Sequence, residues 1–293
     1  MEAVILLAHG APGSLDEVED YVLRIRHGRP LEPGLMSVIK ERYRLVGGSP
    51  LLQWTQKQAA ALEKRLQESG NPRKVYIGMR HSAPFIAEAV LEMDADDVRL
   101  AVAICMAPQF SSLTIAAYEK ALQSAIGVRS VAYKLVRSYA KHPQLIAAFS
   151  ARLRESLQEH PGASVIFTAH SLPQSVLAAV DPYDFEVKET ARLVAKECRV
   201  IDWRFAYQSQ GMTSEKWLGP TVEMRLSEFA EKGIREVIVQ PIGFVCDHVE
   251  ILYDIDVQHK QEAANRGIQL FRASSLNDSP EFIDLLTQLV STV

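Results

Sequence analysis

The chain has 293 residues, 47% hydrophobic and 23% charged, which is enough for two domains of about 150 residues and too apolar for a disordered or fibrous protein. A formal net charge of −4 argues against nucleic-acid binding, which needs a basic face. Cys105, Cys198 and Cys246 are widely spaced with no CxxC pair, there is no basic cleavable leader, and no apolar run nears the roughly 18 residues of a membrane span, so a reduced, cytoplasmic protein without a transmembrane segment is expected.

Along the chain, short apolar runs alternate with amphipathic stretches, the pattern of α/β proteins with parallel sheets. The runs predict strands at Val4–Ala8, Val75–Gly78, Leu100–Cys105 and Val131–Val136, then at Val165–Ala169, Phe205–Gln208, Glu236–Gln240 and Ile268–Arg272. Each is short, apolar and often β-branched, as a strand covered on both faces should be. Helical periodicity predicts helices over Leu51–Leu66, Ile115–Ala125, Pro143–Leu157, Tyr183–Cys198, Thr221–Lys232 and Pro280–Val290. Pro50, Pro143 and Pro280 suit a first helical turn, and Ser49 and Ser279 are placed to cap the first and last of these helices.

Four strands are followed by four more, and the two sets correspond. Ile5-Leu-Leu-Ala-His-Gly10 parallels Ile166-Phe-Thr-Ala-His-Ser171, with an Ala-His pair leaving the strand in both. Ala107-Pro108 parallels Gln240-Pro241, and His142-Pro143 parallels Ser279-Pro280. The reading is two similar Rossmann-like domains, 1–158 and 159–293, with parallel sheets facing a central cleft and the polar stretch Gln158–Gly162 as linker. The last helix is expected to pack back on the first domain. His9 and His170 lie further apart than Pro108 and Pro241, so the first half carries an excess segment, placed at about 13–48. It holds Arg24, Arg26, Arg29, Arg42 and Arg44 and leaves the carboxyl edge of a strand, where ligands bind in open α/β sheets. An acidic ligand fits that composition; a solvated helix pair fits it equally.

There is no GxGxxG, Walker A, GxSxG or HExxH. What remains is a set of polar residues at strand ends. His170 and His9 occupy matching positions, where a neutral imidazole can accept a proton or bind a borderline metal. The segment Pro241–Asp256 turns at Gly243 and enters a helical pattern with Asp247 as the N-cap. Glu250 then falls in the first turn and Asp254 one turn further on the same face. Val245, Val249, Ile251, Leu252 and Tyr253 surround these acids, a setting that raises a carboxylate's pKa unless a metal or cation pairs with it. His170 plus Glu250 supplies one nitrogen and one carboxylate with positions left open, which suits a metal in transit rather than one held permanently. Arg80 and His81 leave the second strand together. Trp217-Leu-Gly-Pro220, near Tyr207 and Gln208, suggests a flat aromatic ligand, while Tyr118 reads equally well as core.

These residues fall into ordered motifs: Arg42-Tyr43…Gly47-Gly48-Ser49-Pro50-Leu51, Tyr76-Ile-Gly-Met-Arg-His-Ser-Ala-Pro84, Ala107-Pro-Gln-Phe-Ser111, Thr168-Ala-His-Ser-Leu-Pro173, Asp181-Pro-Tyr183, Gln208-Ser209…Trp217-Leu-Gly-Pro220 and Pro241-Ile-Gly-Phe…Asp247-His-Val-Glu-Ile-Leu-Tyr-Asp254. In them the chain resembles the ferrochelatases, which place ferrous iron in a porphyrin, and among these the bacterial coproporphyrin III branch. The resemblance implies the chelatase pair of Rossmann-like domains. It puts the metal-binding histidine at His170 and its partner glutamate at Glu250. It puts porphyrin contacts at Arg26, Arg42, Tyr43, Ser49 and Tyr118. In the coproporphyrin branch a tyrosine after the first strand can reach iron from the opposite face; here that position is His9, a candidate porphyrin contact and axial ligand. Arg80-His81 matches the branch as well. The resemblance implies porphyrin and ferrous iron as substrates, no permanently bound cofactor, no iron–sulfur cluster, and transient contact with other haem-pathway enzymes.

The implied chemistry is insertion of Fe²⁺ as two pyrrole protons leave, with His170 as the base over one face and Glu250 and Asp254 passing protons or iron towards it. Two other readings are a non-catalytic porphyrin or haem carrier, to which the acids would be superfluous, and a cobalt chelatase of the corrin pathway, which the Trp217-Leu-Gly-Pro and Arg42-Tyr43 elements disfavour. Coproporphyrin III is favoured over protoporphyrin IX by the arginine-rich mouth.

Overall fold

The computed structural model describes residues 1–178, 180–211 and 215–292. Strands β1 (Glu2–Ala8), β2 (Lys74–Met79), β3 (Leu100–Cys105) and β4 (Ala132–Val136) form one sheet in the order β2-β1-β3-β4. Strands β5 (Ser164–His170), β6 (Trp203–Gln208), β7 (Glu236–Pro241) and β8 (Gln269–Arg272) form a second in the matching order β6-β5-β7-β8. Every pairing is parallel. All eight strands lie within two residues of their predicted bounds. Both faces of β1 are covered: Val4 and Leu6 enter one apolar cluster, Ala3, Ile5 and Leu7 another. That alternation between two cores is why the run is apolar throughout.

The first half adds α1 (Val18–Ile25), α2 (Leu35–Leu45), α3 (Leu51–Glu68), α4 (Ile86–Ala95), α5 (Ile115–Ile126) and α6 (Pro143–Glu159). The second adds α7 (Ser175–Ala178), α8 (Tyr183–Glu197), α9 (Val222–Glu231), a π-helix (Glu250–His259) running into α10 (Lys260–Ala264), and α11 (Pro280–Thr292). The excess segment of the first half is therefore the α1–α2 pair, whose buried Val18, Tyr21, Val22 and Tyr43 form a cluster of their own, with Val249 of the second half packed against it. Among the described residues, no helix is long and apolar enough to cross a membrane.

The largest apolar cluster belongs to both halves. It joins Val4, Leu62, Phe149 and Leu153 of the first to Phe167, Val194, Ile238 and Leu286 of the second. Helix α11 packs on α3 and α6, with Asp284 paired to Arg65 at 2.5 Å and Glu281 to Arg152 at 3.5 Å. Helix α6 runs to Glu159, so the expected linker shrinks to the turn closed by the Ala163 N–H on the His160 carbonyl.

Capping differs in part from expectation. Ser279 caps α11 by accepting the Phe282 N–H at 3.4 Å. Ser49 does not cap α3: Pro50 occupies the cap position, and Ser49 Oγ instead accepts the Val249 N–H across the cleft at 3.3 Å. Asp247 does not cap the helix that follows either. Its carboxylate accepts from Arg272 Nη1 (3.1 Å), Ser275 Oγ (2.7 Å) and Asn277 Nδ2 (3.0 Å), charge-assisted partners that outcompete a lone backbone N–H.

Candidate active site

In a sheet of order 2-1-3-4 the crossovers diverge between the first and third strands, and a crevice opens at their carboxyl ends. His9 follows β1 there and His170 ends β5, so the duplication brings both histidines to one interlobe cleft of about 500 Å³. Two glycines allow the walls to close in. Gly10 has φ +92°, and a side chain there would collide with Ser82; Gly243 passes so close to Ala169 that a Cβ would sit 2.8 Å from the alanine's own.

Lining the cleft are His9, Arg42, Tyr43, Ser49, Arg80, Tyr118, His170, Glu250 and Asp254. Arg26, His81 and Trp217, also singled out from the sequence, lie outside that lining. Arg26 folds back on its own loop, with Nε on the Arg29 carbonyl at 3.1 Å. His81 lies behind His9, ring centroids 4.6 Å apart. Trp217 lies beside His170, centroids 6.4 Å apart.

His170 Nε2 is 3.8 Å from Glu250 Oε2. His170 Nδ1 bonds to the Ser171 carbonyl, which can only accept, so Nδ1 carries a proton and Nε2 is the ring atom that faces Glu250. The Tyr183 hydroxyl donates to the His170 carbonyl at 2.9 Å and fixes the strand end. His9 follows the same logic. The single Tyr21 hydroxyl proton goes to the Gly10 carbonyl (2.8 Å), so its oxygen accepts from His9 Nδ1 (2.9 Å), leaving His9 Nε2 unprotonated. Burial pushes the His9 imidazole down to about 4, against the opposing pull of Glu250, and pushes His81 down to about 3. Both are neutral at pH 7.

The carboxylates part company. Burial tends to raise Glu250, but the fields of His170, His248, His9 and Arg42 outweigh it and hold the group below its usual range. The expected upward shift is thus overturned at Glu250, because three imidazoles from separate segments converge on it. It holds at Asp254, which burial and repulsion from Glu250 raise against the bond from Ser209. Arg42 lies 3.9 Å from Asp254 and stacks over Tyr253 at 5.0 Å; Arg80 stacks over Tyr118 at 5.4 Å. The helix carrying the acids is a π-helix rather than the ordinary helix expected, a winding that recurs at functional sites. Glu250 and Asp254 still share the cleft face.

Three contributors were not singled out from the sequence. Tyr21 lies in the apolar stripe of α1, so its hydroxyl reads as core. His248 accepts the Glu250 N–H on Nδ1 at 3.3 Å; its place two residues before that acid was the only signal. Ser209, which donates to Asp254, belongs to the Gln208-Ser209 pair ahead of Trp217, a motif that assigns it no role. Among the described residues, no three His, Cys, Asp or Glu side chains are grouped to hold a metal ion. A two-donor site suits an ion that completes its coordination on another ligand.

A family model described as Ferrochelatase matches residues 1–293. The ferrochelatase of Deinococcus radiodurans is 40% identical, covering 98% of this chain and 94% of its own. The coproporphyrin III ferrochelatase of Bacillus subtilis is 36% identical, covering 98% and 96%. Among solved structures, SirB from Bacillus subtilis with Fe³⁺ superposes at a TM-score of 0.60 over 99% of this chain and 94% of its own; at 12% identity this is a likeness of fold. With a match over its whole length and relatives at such identity, the chain belongs to the ferrochelatase family and is a metal chelatase.

Proposed function

We propose that this ferrochelatase inserts Fe²⁺ into coproporphyrin III, with His170 and Glu250 handling metal and protons on one face and His9 reaching the iron from the other. The observation that carries the reading is His170 Nε2 held 3.8 Å from Glu250 Oε2, with the ring's other nitrogen already engaged. As Fe²⁺ enters, two pyrrole protons leave. His170 Nε2 accepts one, with the ionised Glu250 beside the resulting imidazolium, and the other passes by way of Glu250 to Asp254, whose raised pKa suits it to hold a proton. Iron is substrate throughout, with no resident cofactor.

The choice of coproporphyrin III is supported by the relatives carrying that name and by cations at the cleft. Arg42 and Arg80 both line it, and their guanidinium groups can pair with propionates. Arg42 Nε is buried without a partner among the described residues, which fits a carboxylate ligand. Binding energy gained at the propionates distorts the macrocycle and lowers the insertion barrier. Three free cysteines support a cytoplasmic setting.

The test is anaerobic addition of Fe²⁺ to the protein with each porphyrin, followed by absorbance. Faster insertion into coproporphyrin III is expected. Equal or faster insertion into protoporphyrin IX overturns the substrate assignment, and binding without metallation points to a carrier.

A further inference from the structure

We infer that Asn277, outside the cleft in the loop between β8 and α11, is a positioning residue that fixes Glu250 and ties it to the first half of the chain. The inference rests on Glu250 acting at the metal, as read above.

Asn277 holds the segment just before Glu250 at three points. Its N–H donates to the Val245 carbonyl at 2.9 Å. Its side chain pairs with Asp247 in both directions: Oδ1 accepts the Asp247 N–H at 2.9 Å, and Nδ2 donates to Asp247 Oδ2 at 3.0 Å. Asp247 Oδ1 is occupied by Arg272 and Ser275, so the carboxylate cannot swing away on its own. The next residue, His248, accepts the Glu250 N–H. The clamp therefore sits at the root of the segment that carries the acid.

The fourth bond of Asn277 comes from the other half. Gln58 of α3, fully buried, donates Nε2 to the Asn277 carbonyl at 2.7 Å. Its Oε1 has no partner among the described residues, so this donation is the bond that orients it. Neither Asn277 nor Gln58 lines the cleft. A line of hydrogen bonds thus runs from α3, which follows directly on the insertion bearing Arg42, through Asn277 and Asp247 to the loop bearing Glu250. The residue type fits the place, because Asn277 adopts φ 49°, a conformation asparagine tolerates and most side chains do not.

The test uses the full chain. Asn277→Gly accepts the positive φ and deletes only the side-chain clamp; Gln58→Leu removes the interdomain donor at similar volume. Both are assayed for metal insertion, porphyrin KM and thermal midpoint. Misplacement of a reacting group by about 1 Å can cost on the order of 100-fold. Asn277→Gly is expected to lower kcat by at least ~10-fold and Gln58→Leu by ~3-fold, with porphyrin KM within ~2-fold of the parent, since a loss made only in the transition state leaves KM alone. Parental kcat in Asn277→Gly, or kcat and porphyrin affinity falling together, overturns the inference. Should Asn277→Gly fail to fold, parental kcat in Gln58→Leu does so. Glu250→Gln, assayed alongside, separates the two levels: full activity there defeats the site reading itself, whereas an inactive Glu250→Gln beside a fully active Asn277→Gly defeats only the positioning role.

Discussion

His170 Nε2 faces Glu250 Oε2 at 3.8 Å while His170 Nδ1 is held by the Ser171 carbonyl. The pair divides the labour of a proton acceptor and a charge that stabilises it. His170→Ala removes the acceptor, and Glu250→Gln keeps the shape while removing the charge. Each is expected to lower metal insertion by roughly 10²–10⁴-fold, the range of a positioned acid–base group. Porphyrin affinity, followed by fluorescence quenching, should stay near the parent's in both. Near-normal insertion in the two variants would remove the pair from the mechanism.

The opposite wall makes a separate prediction. Tyr21 gives its only proton to the Gly10 carbonyl and receives the His9 Nδ1 proton, so the ring cannot turn its Nε2 lone pair away without losing that bond. Tyr21→Phe frees it. If His9 ligates iron in the product, the absorbance bands of haem bound to the parent carry a nitrogen axial ligand, and Tyr21→Phe weakens that signature. His9→Ala abolishes it. Identical spectra in all three proteins would mean that His9 does not ligate.

The strands were legible because burial on both faces leaves little choice but short apolar runs, and β1 shows it: Ile5 and Leu6 serve different cores and are equally apolar. Helix α4 is less legible although Ile86, Ala89, Val90 and Met93 carry its apolar stripe, because it starts straight after the Gly78–Pro84 motif and is only ten residues long. Strand ends advertise the site through His9 and His170, and the acid row through its helical spacing. What a single stretch cannot encode is the sum of fields from distant segments. Glu250 reads locally as an acid among apolar neighbours; His170 and Arg42, folded in from elsewhere, join His248 in holding it below the usual carboxylate range. Ser49 reads as a helix cap for the same reason, since Val249 lies 200 residues away in sequence.

The shared core predicts how the chain unfolds. Leu286 of α11 is fully buried in the cluster that spans both sheets, and its helix packs on α3 and α6 of the first half. Leu286→Ala should cost about 2–5 kcal/mol, as for other buried leucines, through lost transfer energy and the cavity left behind. Because the cluster is continuous, the loss should appear as one shifted transition in urea when followed by both Trp54 and Trp203 fluorescence. Two separated transitions, with only the second half weakened, would show that the halves are stabilised independently.

The far end of the π-helix carries an acid-sensitive tie. His259 Nδ1 lies 3.3 Å from Glu223 Oε1 at the start of α9, and this pairing, aided by Thr221, pulls Glu223 from 4.5 down to about 2. A carboxyl group whose folded-state pKa is depressed binds its proton more readily in the unfolded chain. Its contribution is complete above about pH 4.5 and is lost as the pH falls through the folded value near 2. Glu223→Gln has no such proton to take up. The variant should be less stable than the parent at pH 7, and the gap should narrow steadily between pH 4.5 and 2 when midpoints of urea unfolding are compared. A gap that stays constant across that range would show that the Glu223 charge contributes nothing to holding the π-helix against α9.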